Sequence, residues 1–167
     1  MLVRGSTSMS RDQIASRFDA LRTQAGISGS AQGASIVLQG RRETLADALA
    51  LAADVLRNPA FPEDEFEQLR MQAVTGLELQ RSDPGSVAGL ALARHFDPWP
   101  VGHPLHVDTV DESLARLRAL ELDDLRAYHA DFYGTAVGEI AVVGDFDPDA
   151  VKAQLEALFA GWKSAMP

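Results

Sequence analysis

Apolar residues recur at spacings of three and four along most of this chain, and clusters of glycine and proline interrupt them, so the pattern predicts helices around a small amount of sheet. The stretch "SRDQIASRFDALRTQAG" (10–26) opens with Ser10, Asp12 and Gln13. It places Ile14, Phe18 and Leu21 on one side of an amphipathic helix, with Gly26 as its stop. "ISGSAQGASIVLQG" (27–40) is rich in Ser and Gly before it turns β-branched, and reads as extended chain ending in a strand. From Glu43, the residues Leu45, Ala48, Leu49, Ala52 and Leu56 keep helical spacing until the two prolines of "NPAFPED" break it.

A long helix follows from Asp64 to Arg81, with Phe66, Leu69, Ala73 and Leu77 as its core-facing stripe and Glu67, Arg70 and Glu78 in water. Gly76 lies inside it and costs about 1 kcal/mol relative to alanine, so something other than helix propensity must account for it. One such reason is a close helix contact that tolerates no side chain. "SDPG" ends this helix, and Val87 to His95 forms a shorter one. "FDPWPVGHPLH" (96–106), with three prolines, is irregular.

Two short helices, Thr109 to Leu117 and Leu122 to Phe132, come next, the second opening on Asp123 and Asp124. "GEIAVVGDF" is a short apolar run between glycines and predicts a strand buried on both faces. The last helix starts at Pro148 and turns Val151, Leu155, Leu158, Phe159 and Trp162 to one side. The expected fold class is α+β, with helices on one face of a small, mainly antiparallel sheet. Only two or three strands are visible, few for an independent sheet, so the fold is expected to lack its first strands, with residues 1–167 a single N-terminally truncated domain.

Composition narrows the partners. With 167 residues, 46% hydrophobic and 23% charged, the chain is long and apolar enough for a core. Its net charge of -9, from 24 acidic and 15 basic side chains with no basic stripe, argues against nucleic acid. No apolar run reaches the roughly 20 residues of a membrane span, and "MLVRGSTSMS" is not a signal peptide. The absence of cysteine rules out disulfides, thiol nucleophiles and cysteine-based zinc sites, and leaves the compartment open.

Candidate chemistry is sparse. His103 and His106 in "GHPLH" are three apart, but Pro104 and Gly102 oppose the helix that would align them, and that reading finds no carboxylate nearby to complete a metal site. His95 and His129 lie in helices without a second His one turn on, and read as hydrogen-bonded structural residues. "DFDPDAVKAQLE" imitates a calcium loop through Asp145, Asp147, Asp149 and Glu156, yet Ala150 stands where the sharp turn needs glycine, so Asp145 or Asp147 is expected to cap a helix. "RGSTSMS" and "SGSAQGAS" lack the spacing of a phosphate loop, and no GxSxG, HExxH or HxxEH occurs. The residues alone therefore assign no catalytic, cofactor-binding or metal-binding position.

From Glu43 to Trp162 the chain resembles the pitrilysin/insulinase family of zinc metallopeptidases, the inverzincins. The resemblance rests on the order and spacing of "LAADVLRNPAFPEDEFEQLR", "DP" with an alanine-rich helix, "GHPLH", "TVDESLARLRALELDDLRAYHADFYG", "VVGDFD" and "LFAGW". Residues 1–40 follow less closely and resemble the stretch after the active-site helix. The family resemblance implies two homologous α+β halves closing around a peptide, one carrying HxxEH and a distal Glu ligand, the other without them. Zinc hydrolysis needs two imidazoles, a carboxylate ligand and a carboxylate base. Aligning Arg70 and Asp83-Pro84 with the family pattern puts Gly76 at the distal Glu position. Glu78, about 200° round the helix, is a poor substitute.

The resemblance thus implies a non-catalytic domain in the peptide-enclosing chamber of a proteolytic parent. It predicts no peptidase activity and no stoichiometric zinc for the chain alone, with zinc only in a catalytic partner half. Its partners would be the remainder of the parent chain or a homologous catalytic half, and an unfolded peptide held partly by strand addition. Arg126 and Tyr133 fall before a strand in this alignment and receive no substrate-holding role. The alternatives are the remnant of a catalytic half whose ligands lie upstream, and a purely structural core-like subunit. An exported or periplasmic parent is the family expectation, and self-association of the isolated chain is expected from unpaired sheet edges.

Overall fold

The structure is a computed structural model that describes residues 1–30, 33–103, 105–136 and 138–166. Among them, the order is α1 (Arg11–Ala20), β1 (Gln24–Ser30), β2 (Gly33–Gln39), α2 (Leu45–Arg57) and α3 (Glu63–Gln80). Then follow α4 (Pro84–Phe96), α5 (Val110–Ala119), α6 (Leu122–Phe132) and α7 (Pro148–Phe159). The chain divides into two compact units, residues 1–62 with 125–167, and residues 63–124.

In the first unit, Ser10 starts α1 through a reciprocal capping box with Gln13. Ile14, Phe18 and Leu21 then pack with Ala48, Leu51 and Val55 of α2 into a core from which Val55 is wholly excluded from solvent. The antiparallel pair β1–β2 lays Ala25, Ile27 and Leu38 against this core. The alternate residues, Ser28, Ser35 and Val37 among them, face out, and the Ser28 and Ser35 hydroxyls meet at 2.8 Å. Helices therefore cover one face of a small antiparallel sheet, the α+β arrangement the sequence predicts. At the other side of α2, Gln154 of α7 donates to the Ala46 carbonyl at 2.7 Å, and Arg57 donates to the Leu158 carbonyl.

The second unit is helical. Asp83 caps α4, with Pro84 in its first turn, and Thr109 starts α5 through a capping box with Glu112. Helices α3 and α5 pack side by side. Their outer faces are joined by Arg81 to Asp111 and, at 2.9 Å, by Arg118 to Glu78. Leu114 of α5 and Phe66 of α3 are buried. Arg70 is not simply in water: it lies over the Phe66 ring at 5.5 Å, pairs with Glu67 at 2.6 Å and donates to the Leu120 carbonyl.

Three expectations are corrected. The hairpin uses residues 24–30 as a full strand, so α1 ends at Ala20, six residues before Gly26. The stripe of α3 is buried only at Phe66, with Leu69 and Leu77 half-buried and Ala73 exposed. "GEIAVVGDF" forms no strand in its described residues: Ile140 is 57% and Val143 97% exposed. A strand is held by ladder hydrogen bonds from a neighbour, and β1–β2 is the one sheet among the described residues, without this segment.

Candidate functional site

The loop between α4 and α5 is kept out of helix by Pro98 and Pro100 and turned at Gly102, whose φ of 89° suits glycine. Pro104, also used in the sequence reading, lies outside the described residues. Arg94 of α4 holds the end of the loop by donating to the Val107 carbonyl at 2.5 Å. His103 stacks on Trp99 with ring centroids 4.2 Å apart, and its Nδ1 accepts from the Leu105 amide. His106 is bonded differently: its Nδ1 meets the Trp99 carbonyl oxygen at 2.7 Å, and its Nε2 points toward the start of α5.

There it meets two carboxylates. Nε2 lies 3.4 Å from Glu112 Oε2 and 3.6 Å from Asp108 Oδ1, and one ligand atom from each of the three residues falls within 4.8 Å of the others. Among the described residues this is the one group of three or more side chains able to share a metal ion. The His106 and Asp108 side chains are 9% and 13% exposed. Arg116 pairs with Asp108 Oδ2, and Arg94 lies 3.5 Å from Glu112 Oε2. The group lines an open cavity of about 600 Å³ that also includes Val101, His103 and Ala115.

Hydrogen bonds from the Thr109 amide at 2.7 Å and hydroxyl at 3.0 Å, with His106 adding to them, hold the Glu112 carboxyl at about 2, below its ordinary 4.5. The sequence reading paired His106 with His103 and found no carboxylate beside them. Asp108 and Glu112 correct that. The signal was the capping box, which folds Glu112 back over Thr109 and so toward the loop.

Gly76 sits on an exposed part of α3, and a Cβ built there would meet nothing within 4 Å. A close helix contact therefore does not account for this glycine. Glu78 is engaged by Arg118. The remaining candidates fill structural roles. Asp147 caps α7 through the amides of Asp149 and Ala150, while Asp145 pairs with Arg42 at 2.5 Å. His129 Nε2 donates to the Leu56 carbonyl, whereas His95 is exposed with its ring edge against Phe96. Tyr133 stacks on His129, and burial pushes its hydroxyl above the ordinary value. Arg126 lies on α6. In "RGSTSMS", Ser6 and Ser8 make a turn against α2, and "SGSAQGAS" is the hairpin, its Ala31 and Gln32 outside the described residues.

Comparison with known proteins gives the context for these features. The family model described as Peptidase M16 inactive domain matches residues 119–167. Among solved structures, the chain is similar to the peptidase M16 inactive domain from Pseudomonas fluorescens, with a TM-score of 0.80 and 27% identity over 98% of this chain. The match covers 40% of that protein's chain, so the present sequence spans well under half of its length. No curated protein matches the sequence.

Proposed function

We propose, for a chain that belongs with the peptidase M16 inactive domains, the non-catalytic kind of pitrilysin-family domain, a role in enclosing peptides for a catalytic partner half. The observation that carries this reading is the likeness to an inactive domain along 98% of the chain, through helices and hairpin alike. Gly76 adds to it. The position aligned with the distal zinc ligand offers no donor atom, although the surrounding space would accept a side chain. Glu78 already pairs with Arg118 and lies about 200° round the helix, which disfavours its use as a replacement ligand.

In this role the chain acts by shape. Its partner is the remainder of a longer polypeptide or a homologous catalytic half that carries the hydrolytic zinc, and the substrate is an unfolded peptide gripped partly along its main chain. The test is peptide hydrolysis with a fluorogenic unfolded substrate. The chain alone gives no turnover, and a catalytic half gains turnover or peptide affinity when this domain is joined to it. Chelator-sensitive turnover by the chain alone, or a catalytic half indifferent to the domain, would overturn the proposal.

A further inference from the structure

Helix α4 is apolar and almost uncovered. No charged residue occurs from Pro84 to Ala93, yet no residue of the helix is fully buried. Ser86, Leu90, Ala93 and Arg94 make up its half-covered side, where Arg94 reaches the Val107 carbonyl and Glu112. On the other side Ala88, Leu92 and Phe96 fall at successive steps of four and form one stripe, with Leu92 58% and Phe96 71% exposed. Asp83 and Asp97, both exposed, stand at the two ends of the helix, roughly 20 Å apart.

The unit that carries this face is also strongly acidic. Residues 63–124 hold 13 acidic against 5 basic side chains, a net charge of -8 out of the -9 of the whole chain. Each of its five arginines already lies beside a carboxylate of the same unit, so the excess is intrinsic to it. We infer that the outer face of α4 is a docking surface for a cationic amphipathic peptide segment, seated as a helix with its apolar side on Leu92 and Phe96 and basic side chains toward Asp83 and Asp97. Only the docked segment is helical, and strand addition applies to the extended remainder of the peptide.

Charge selects this occupant over the others. A second copy of the chain would bring a like-charged unit against the face, and opposing fields of one sign disfavour that contact. An exposed apolar helix face also suits a membrane surface, but such helices need basic flanks to meet anionic lipid, and those of α4 are acidic. A basic amphipathic segment satisfies both features at once, burying the stripe and answering the surplus charge. The inference deepens the proposed function by naming the class of peptide taken, and rests on that reading only for the fate of the bound peptide.

The test is fluorescence anisotropy of the full chain with a labelled synthetic peptide of about 14 residues, the span of α4, carrying leucines at helical spacing on one side and arginines at both ends. The expected result is saturable binding that weakens with salt. Affinity should fall at least tenfold for a peptide with glutamates in place of the arginines, for one with serines in place of the leucines, and for the chain with Leu92→Gln and Phe96→Gln together. Val37→Gln, at an exposed apolar position of the other unit, should bind normally. Circular dichroism checks that the double variant keeps its helix. Asp97→Asn lies outside α4 and should weaken binding about threefold, which keeps the test decisive if the double variant misfolds. Equal binding of the serine peptide, which would mean diffuse charge attraction, or a double variant that loses self-association and not peptide binding, would overturn the inference. A catalytic half that gains turnover from this domain equally on neutral and cationic peptides removes this inference and leaves the proposed function. Cationic binding with no gain in turnover does the reverse.

Discussion

His129 Nε2 lies 2.7 Å from the carbonyl oxygen of Leu56, so one imidazole joins α6 to the last turn of α2 across 73 residues of sequence. The carbonyl can only accept, which places a proton on Nε2. Around this bond the ring meets Phe61 edge-on at 5.7 Å and stacks with Tyr133 at 4.9 Å. His129→Phe keeps the ring contacts and deprives the Leu56 carbonyl of its donor, for an expected loss of about 1–2 kcal/mol. His129→Ala also removes the ring and should cost about 2–3 kcal/mol. Urea denaturation of the two variants checks both the sign and the order.

Gly76→Ala should stabilise the chain. The site is helical and exposed, and a new Cβ meets nothing within 4 Å, so the substitution gains helix propensity without a clash. The expected gain is about 1 kcal/mol, read as a raised denaturation midpoint. A loss of stability would mean that packing does select glycine here, and would return the close-contact explanation that the open space around Gly76 disfavours.

Acid should weaken the first unit through Asp54. Burial pushes its carboxyl up, but hydrogen bonds from Asn58, Ser6 and Ser8 outweigh that and leave it below its ordinary value. Ser8 Oγ donates at 2.8 Å and Asn58 Nδ2 at 2.9 Å, fastening the N-terminal turn to α2. Because the folded value is depressed, the contribution is present above the ordinary carboxylate range and fades as pH falls through and below it. Asp54→Ala should destabilise at neutral pH and show a shallower fall in stability between neutral and acid pH than the parent. An equal acid slope in both proteins would show that other carboxylates carry the dependence.

Much of the helical framework is readable because local chemistry decides it. Ser10 with Gln13 and Thr109 with Glu112 cap their own helices, and Pro148 sets the start of α7 wherever the rest of the chain lies. What depends on neighbours is less legible. Gly26 and Gly29 interrupt the alternation of β1, whose strand character comes from pairing with residues 33–39. The apolar run ending at Val143 has strand composition, yet composition supplies no partner for its backbone. The His106 group escapes sequence inspection because its members span a loop and a helix start, at offsets of two and four residues that match no single-element metal motif.

That unpaired run carries the last prediction. Ile140 and Val143 are largely solvent-exposed in a segment with no ladder partner among the described residues, and Val37 is exposed on the outer face of the hairpin in the same unit. Exposed apolar side chains beside backbone groups that belong to no ladder favour pairing with another chain. The isolated chain should therefore self-associate as concentration rises, and Ile140→Lys with Val143→Lys should reduce association, since charge on an edge opposes strand pairing. Sedimentation equilibrium over a range of concentrations reads this directly. A parent chain that stays monomeric throughout would rule out the run as an association site, and a double variant that associates as strongly as the parent would place the contact elsewhere.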